Sequence, residues 1–117
     1  MRNDKQNIIV EKSFDFALDI IEFSEMITEK KKFSLADQIF RAGTSIGANI
    51  REAQNAESKN DFIHKMKIAA KEADETEYWL LLCEKSGNYP YNPELQTKIL
   101  SIKKLLSSII SKMKSKK

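Results

Sequence analysis

A chain of 117 residues, 32% charged and 41% hydrophobic, has the composition of one helical domain with a modest core and little room for a deep substrate cleft. Three glycines and two prolines are too few for the turns of an all-β fold, and the longest apolar run, residues 78–83, is far too short to span a membrane. The one cysteine excludes an internal disulfide, and no signal-peptide core follows Arg2, Asp4, Lys5 and Gln6, so the expected compartment is the cytoplasm.

Residues 1–12 read as a lead-in, with Ile8, Ile9 and Val10 available to anchor it. The first helix is expected over about 13–30. At about 100° per residue, Phe14, Phe16, Ala17, Leu18, Ile20, Ile21, Phe23 and Ile27 cover well over half its circumference. Only a narrow acidic strip of Asp15, Asp19, Glu22 and Glu29 remains. A helix at the edge of a monomeric bundle needs an apolar arc of little more than about 100°. The surplus calls for a neighbouring chain, with Phe16, Ile20, Phe23 and Ile27 as the expected interface. Lys30, Lys31 and Lys32 then form a basic turn suited to the C-terminal end of the helix dipole.

The second helix, about 34–55, is the centre of the design. Ser34 with Asp37 three residues on resembles a capping box. Leu35, Ile39, Ala42, Ile46, Ile50 and Ala53 make one apolar stripe, and Gln38, Ser45, Asn49 and Glu52 a polar ladder along its flank. Gly43 and Gly47 each cost about 1 kcal/mol against alanine inside a helix, so close approach of another backbone is the expected reason for them.

The third helix is expected over 59–86. Phe62, Met66, Ala69, Ala73, Thr76, Leu80 and Cys83 alternate in steps of four and three, a heptad seam. Residues 78–83 are apolar all round, which one core cannot absorb, so Tyr78, Trp79 and Leu82 are further interface candidates. Gly87 is placed to end the helix, residues 88–91 to turn, and Asn92 with Pro93 to start a fourth helix over 93–113. Leu95, Ile99, Ile102, Leu106, Ile109 and Met113 form its seam. Short connections make the fold class all-α, an up-down-up-down four-helix bundle spanning 1–117.

Little here supports catalysis. Asp61 and His64 have a spacing used by di-metal bundles, but those sites need a second such motif and the chain has one histidine. His64 reads as a solvated residue beside Lys67 and Lys71. Glu72 and Glu75 suit interhelical hydrogen bonding, and Cys83 reads as a core thiol. No cofactor, metal or small-molecule substrate is expected.

Charge is more informative. An up-down-up-down bundle gathers residues 1–12, 51–71 and 105–117 at one end. Those segments hold twelve Lys and Arg against five acids, a surplus of seven, so the remainder of a chain of net charge +3 carries −4. A basic pole and an acidic pole are expected. Arg51, Lys59, Lys65, Lys67, Lys71, Lys112, Lys114, Lys116 and Lys117 are the candidate phosphate-binding residues. Aromatics for base stacking are missing there apart from Phe62, so binding would follow the backbone and not read sequence.

The segments Gln38-Ile39-Phe40-Arg41-Ala42 and Ser45-Ile46-Gly47-Ala48-Asn49-Ile50-Arg51-Glu52-Ala53 carry a resemblance. So do Phe62, Met66 and Ala69 at their spacing, and Glu75-Thr76-Glu77-Tyr78-Trp79-Leu80. Together they resemble the four-helix-bundle proteins encoded by intervening sequences within bacterial 23S rRNA genes, a family similar to the accessory protein of diversity-generating retroelements. The resemblance implies a ring-shaped homopentamer without enzymatic activity. It also implies partners such as RNA or DNA, a reverse transcriptase or a ribosomal component. The expected function is thus a non-enzymatic nucleic-acid or ribonucleoprotein accessory protein, with a homo-oligomeric protein-binding scaffold as the alternative.

Overall fold

The computed structural model describes residues 4–116, with side chains described from Ile8 onward, and contains four helices. They are α1 (Asp4–Glu29), α2 (Phe33–Ala53), α3 (Lys59–Ser86) and α4 (Pro93–Ser115). α2 packs on α1 and on α3, α3 on α4, and α4 closes back on α1 through the least extensive seam. The body measures 49 × 20 × 19 Å. Among the described residues, no helix is long and apolar enough to cross a membrane.

α1 differs most from expectation, because it starts at Asp4 and has no separate lead-in. Its buried residues Ile9, Ser13, Phe16, Ile20, Phe23 and Ile27 recur in steps of four and three, with Ser24 buried beside them. The seam therefore reaches back to Ile9, and residues 1–12 contain no glycine or proline to interrupt it. Arg2 lies outside the described residues.

The turn after α1 is closed by its own backbone. Lys32 N–H donates to the Ile27 carbonyl at 3.3 Å and Lys31 N–H to that of Thr28 at 2.8 Å. With Lys31 at φ 63°, this is a Schellman arrangement holding a lysine where glycine is usual. α2 then begins at Phe33, and Lys32 makes no side-chain cap, so the expected Ser34–Asp37 capping box does not form. Ser34 already lies inside the helix, two residues past the capping position at Lys32.

The other starts are capped by side chains. Ser58 Oγ accepts from Asp61 N–H at 3.0 Å, while Asp61 Oδ2 accepts from Glu57 N–H at 3.1 Å. That backbone bond, followed by Lys65, holds the Asp61 carboxyl below its usual range. Asn92 Oδ1 accepts from Glu94 N–H at 3.0 Å with Pro93 at the first turn of α4. α3 ends at Gly87, whose φ of 78° is the left-handed conformation glycine adopts without penalty.

The core is built from one stripe per helix. The α3 seam from Phe62 to Cys83 is buried throughout, as are Leu95, Ile99, Ile102, Leu106 and Ile109 of α4. α2 contributes Ala36, Ile39, Ala42, Ile46, Ile50 and Ala53, while Leu35 and Met113 pack on the edge. α1 and α2 pack tightly at the two helical glycines. A Cβ on Gly43 would lie 2.7 Å from Ile20 Cγ1, and one on Gly47 would lie 3.3 Å from the Ser13 carbonyl oxygen.

Candidate nucleic-acid interface

The alternation of direction brings the start of α1, the end of α2, the start of α3 and the end of α4 to one end of the bundle. Lys59, the first residue of α3, donates from Nζ to the Lys116 carbonyl just beyond α4, which fixes that register directly. Arg51, Lys59, Lys71, Lys112, Lys114 and Lys116 are solvent-exposed here, as is Lys67, and Lys65 is half-buried. Lys117 lies outside the described residues.

The cations of this end differ in their company from those of the waist. At the waist, three basic groups are neutralised across helix seams. Arg41 of α2 meets Glu75 of α3 at 2.5 Å and Glu72 at 3.6 Å, and the Trp79 indole N–H donates to the same Glu75 oxygen at 3.0 Å. Lys98 of α4 meets Asp19 of α1 at 2.6 Å, and Lys103 of α4 meets Glu77 and Asp74 of α3 at 2.5 and 2.9 Å. These carboxylates raise both lysine pKa values above the ordinary one. At the basic end, by contrast, only Lys65 has an acidic partner among the described residues, Asp61 at 3.4 Å. Lys67 lies close enough to Lys114 of α4 that the second ammonium depresses its pKa.

The far end is mildly acidic, with Asp37, Glu84 and Glu94 beside the glutamates of α1 against Lys30, Lys31, Lys32 and Lys85. Glu22, Glu25 and Glu29 close α1, but Lys30, Lys31 and Lys32 occupy the tip beside them. Lys32 Nζ sits 5.2 Å from the centre of the Tyr89 ring, a cation–π contact tying the two turns of that end. The waist carries a similar surplus of acid, with Asp15, Asp19, Glu72, Asp74, Glu75 and Glu77 against Arg41, Lys98, Lys103 and Lys104. The molecule has a basic end, and a mildly acidic waist and tip.

The expected interface residues divide. Phe16, Ile20, Phe23 and Ile27 are at most 2% exposed and form the protomer's own core, so they are not surface residues. The helical wheel revealed a surplus of apolar surface on this helix but not which arc turns inward. The outward arc is Phe14, Leu18 and Ile21, spaced by four and three on the side of α1 away from the core, with Phe14 53% and Leu18 52% exposed. The signal was present in the same residues, since these three fall opposite the heptad seam. Tyr78 and Leu82 do face solvent, whereas Trp79 is half-buried and packs on the core. Tyr78 and Trp79 rings meet edge-on at 5.2 Å.

Groups suited to chemistry are sparse. Among the described residues there is no cluster of three or more His, Cys, Asp or Glu able to hold a metal. His64 is exposed, and Cys83 is a free, buried thiol pushed up to about 11 by burial. The fold is an all-α four-helix bundle with one exposed basic end. The chain belongs to the 23S rRNA-intervening sequence protein family, whose model matches residues 5–110. It is similar to a protein of unknown function from the S23 ribosomal protein family of Bacteroides thetaiotaomicron, known from its crystal structure. The two are 44% identical, with a TM-score of 0.86 over 92% of this chain and 98% of that one. No curated protein matches the chain.

Proposed function

We propose that this protein is a cytoplasmic, non-enzymatic accessory factor that assembles as a homo-oligomer, a pentameric ring, and binds the phosphate backbone of RNA through its basic ends gathered on one rim. The observation that carries it is the contrast in ion pairing. Arg41, Lys98 and Lys103 at the waist are tied to carboxylates, while Arg51, Lys59, Lys67, Lys71, Lys112, Lys114 and Lys116 have no acidic partner among the described residues. Unpaired cations on one end make a field for a polyanion, because binding releases counterions and breaks no existing ion pair. Assembly is supported by the outward stripe Phe14, Leu18 and Ile21 with exposed Phe40, Tyr78 and Leu82. The family's name makes RNA the first nucleic acid to test, ahead of DNA; a reverse transcriptase or a ribosomal component is the protein partner of the same proposal.

The test is RNA binding as a function of salt. Lys65→Glu with Lys67→Glu in a chain ending at Ser111 should weaken binding uniformly across sequences and flatten the log-log salt slope, which is about −0.7 per phosphate contact for a single strand. Lys30→Glu with Lys31→Glu at the far tip should change little. Equal losses in both sets, or no binding at about 50 mM salt, would leave the protein-binding scaffold as the better function.

A further inference from the structure

A groove of about 440 Å³ runs between α3 and α4 near the basic end. Lys67 on one wall and Lys114 on the other come together there, 47 residues apart in the chain but in the same turn of the bundle. The hydroxyl-bearing Ser107 and Ser111 line the α4 wall, and Ala70 is too short to cover the floor. The upper end is closed differently. Lys103 is drawn onto Asp74 and Glu77 and has no charge to spare, while Asp74 itself lines the groove.

Two ammonium groups set side by side by the register of two helices, with no carboxylate between them among the described residues, repel each other. An oxyanion between them converts that repulsion into charge-assisted hydrogen bonds from both sides. The more negative the anion, the larger the gain. A terminal phosphate ester carries about −1.5 to −2 at neutral pH, against −1 for a phosphodiester. A second phosphate further along the groove would meet the Asp74 carboxylate.

From this we infer that the α3/α4 groove is a discrete subsite for a single phosphomonoester, held between Lys67 and Lys114 with the Ser107 and Ser111 hydroxyls as further donors. The inference rests on the phosphate-binding function proposed above and sharpens it. The remaining basic residues hold an RNA backbone diffusely, whereas this groove selects a phosphorylated end.

The experiment uses the full chain and two probes, inorganic phosphate and a short RNA of one sequence bearing either a 5′-phosphate or a 5′-hydroxyl. Phosphate at constant ionic strength should raise the melting temperature of the wild type in a saturable way. Lys67→Met and Lys114→Met should each abolish that rise, while Lys30→Met and Lys104→Met, the same loss of charge elsewhere, should keep it. The 5′-phosphorylated RNA should bind the wild type about tenfold more tightly than the 5′-hydroxyl form, the order expected of one added charge-assisted contact. That ratio should fall to one in the two groove variants. A phosphate response absent from the wild type, or equal in all variants, overturns the subsite. So does a 5′-phosphate preference that survives loss of Lys67 and Lys114. RNA binding that persists with its steep salt dependence while these signals are absent overturns the subsite alone. A saturable phosphate response without RNA binding at low salt overturns the wider function and leaves the subsite standing.

Discussion

Gly43 and Gly47 set how closely α1 and α2 approach, and their surroundings assign them different sensitivities. A methyl group on Gly43 would sit 2.7 and 2.8 Å from the two γ carbons of Ile20, atoms that a β-branched side chain cannot swing away. Overpacking of this kind costs about 1–3 kcal/mol and outweighs the roughly 1 kcal/mol that alanine gains in helix propensity. Gly43→Ala should therefore melt lower than the wild type, and a higher melting temperature would contradict the contact. Gly47→Ala, facing the Ser13 backbone at 3.3 Å, should have the smaller effect. Lys31 offers the opposite case. It holds φ 63° without being glycine, so Lys31→Gly should stabilise by about 1 kcal/mol, the cost of the left-handed conformation for an L-residue. Cys83 keeps its proton up to about 11 because it is buried, whereas the unfolded thiol titrates near 9.0. Folded Cys83 should thus resist alkylation at pH 8 and react once denatured. Between those two values the unfolded chain binds fewer protons than the folded one, so this group's contribution to stability declines as pH rises from about 9 to about 11. The helical glycines were legible in the sequence because each carries a cost that only packing explains. The left-handed Lys31 was not, since a lysine run at a helix end looks the same whether or not one member closes a Schellman turn.

Among the elements, α1 is the one with two apolar faces. One face is the heptad seam from Ile9 to Ile27, which belongs to the core; the other is Phe14, Leu18 and Ile21, left in solvent by the protomer. The two are told apart by substitution. Phe16→Asp places an unpaired charge in the core and should abolish the cooperative melt. Phe14→Ser with Leu18→Ser should leave helix content and most of the stability intact while converting the proposed assembly to 13.5 kDa monomers by light scattering. A double variant that remains assembled would relocate the interface, with Tyr78 and Leu82 as the next surface to test. The seams of α3 and α4 could be read residue by residue because each has one apolar stripe, and a single stripe has only one way to face a core. α1 offered two stripes of similar breadth, and choosing between them required the contacts of α2 and α4. The same limit applied to the basic end. Lysine positions on each helix were legible, but the meeting of Lys67 with Lys114 depends on the register between α3 and α4, which turn length and side-chain packing fix.

At the scale of the whole molecule, the proposed assembly and the proposed RNA binding would be coupled by geometry, and the coupling is measurable. One protomer presents a cluster of unpaired cations at the end of a body only about 20 Å across, enough for a few phosphate contacts and a weak, salt-sensitive affinity. In a ring with all protomers pointing the same way, neighbouring clusters lie within reach of one strand. Once the first is engaged, the others bind at high effective concentration, and linked contacts of this kind raise affinity by about a hundredfold or more. Phe14→Ser with Leu18→Ser is suited to testing this because it changes no charge and replaces no residue that lines the α3/α4 groove. Binding of a long single strand by the double variant should be weaker by about that factor. The magnitude of its salt slope should drop to that of one protomer's contacts, at about 0.7 per phosphate. A strand too short to bridge two protomers should bind both proteins alike, since avidity needs a ligand that spans the sites. If the double variant is monomeric yet holds the long strand as tightly and with the same slope as the assembly, each basic end acts alone. The ring would then have some purpose other than gathering them.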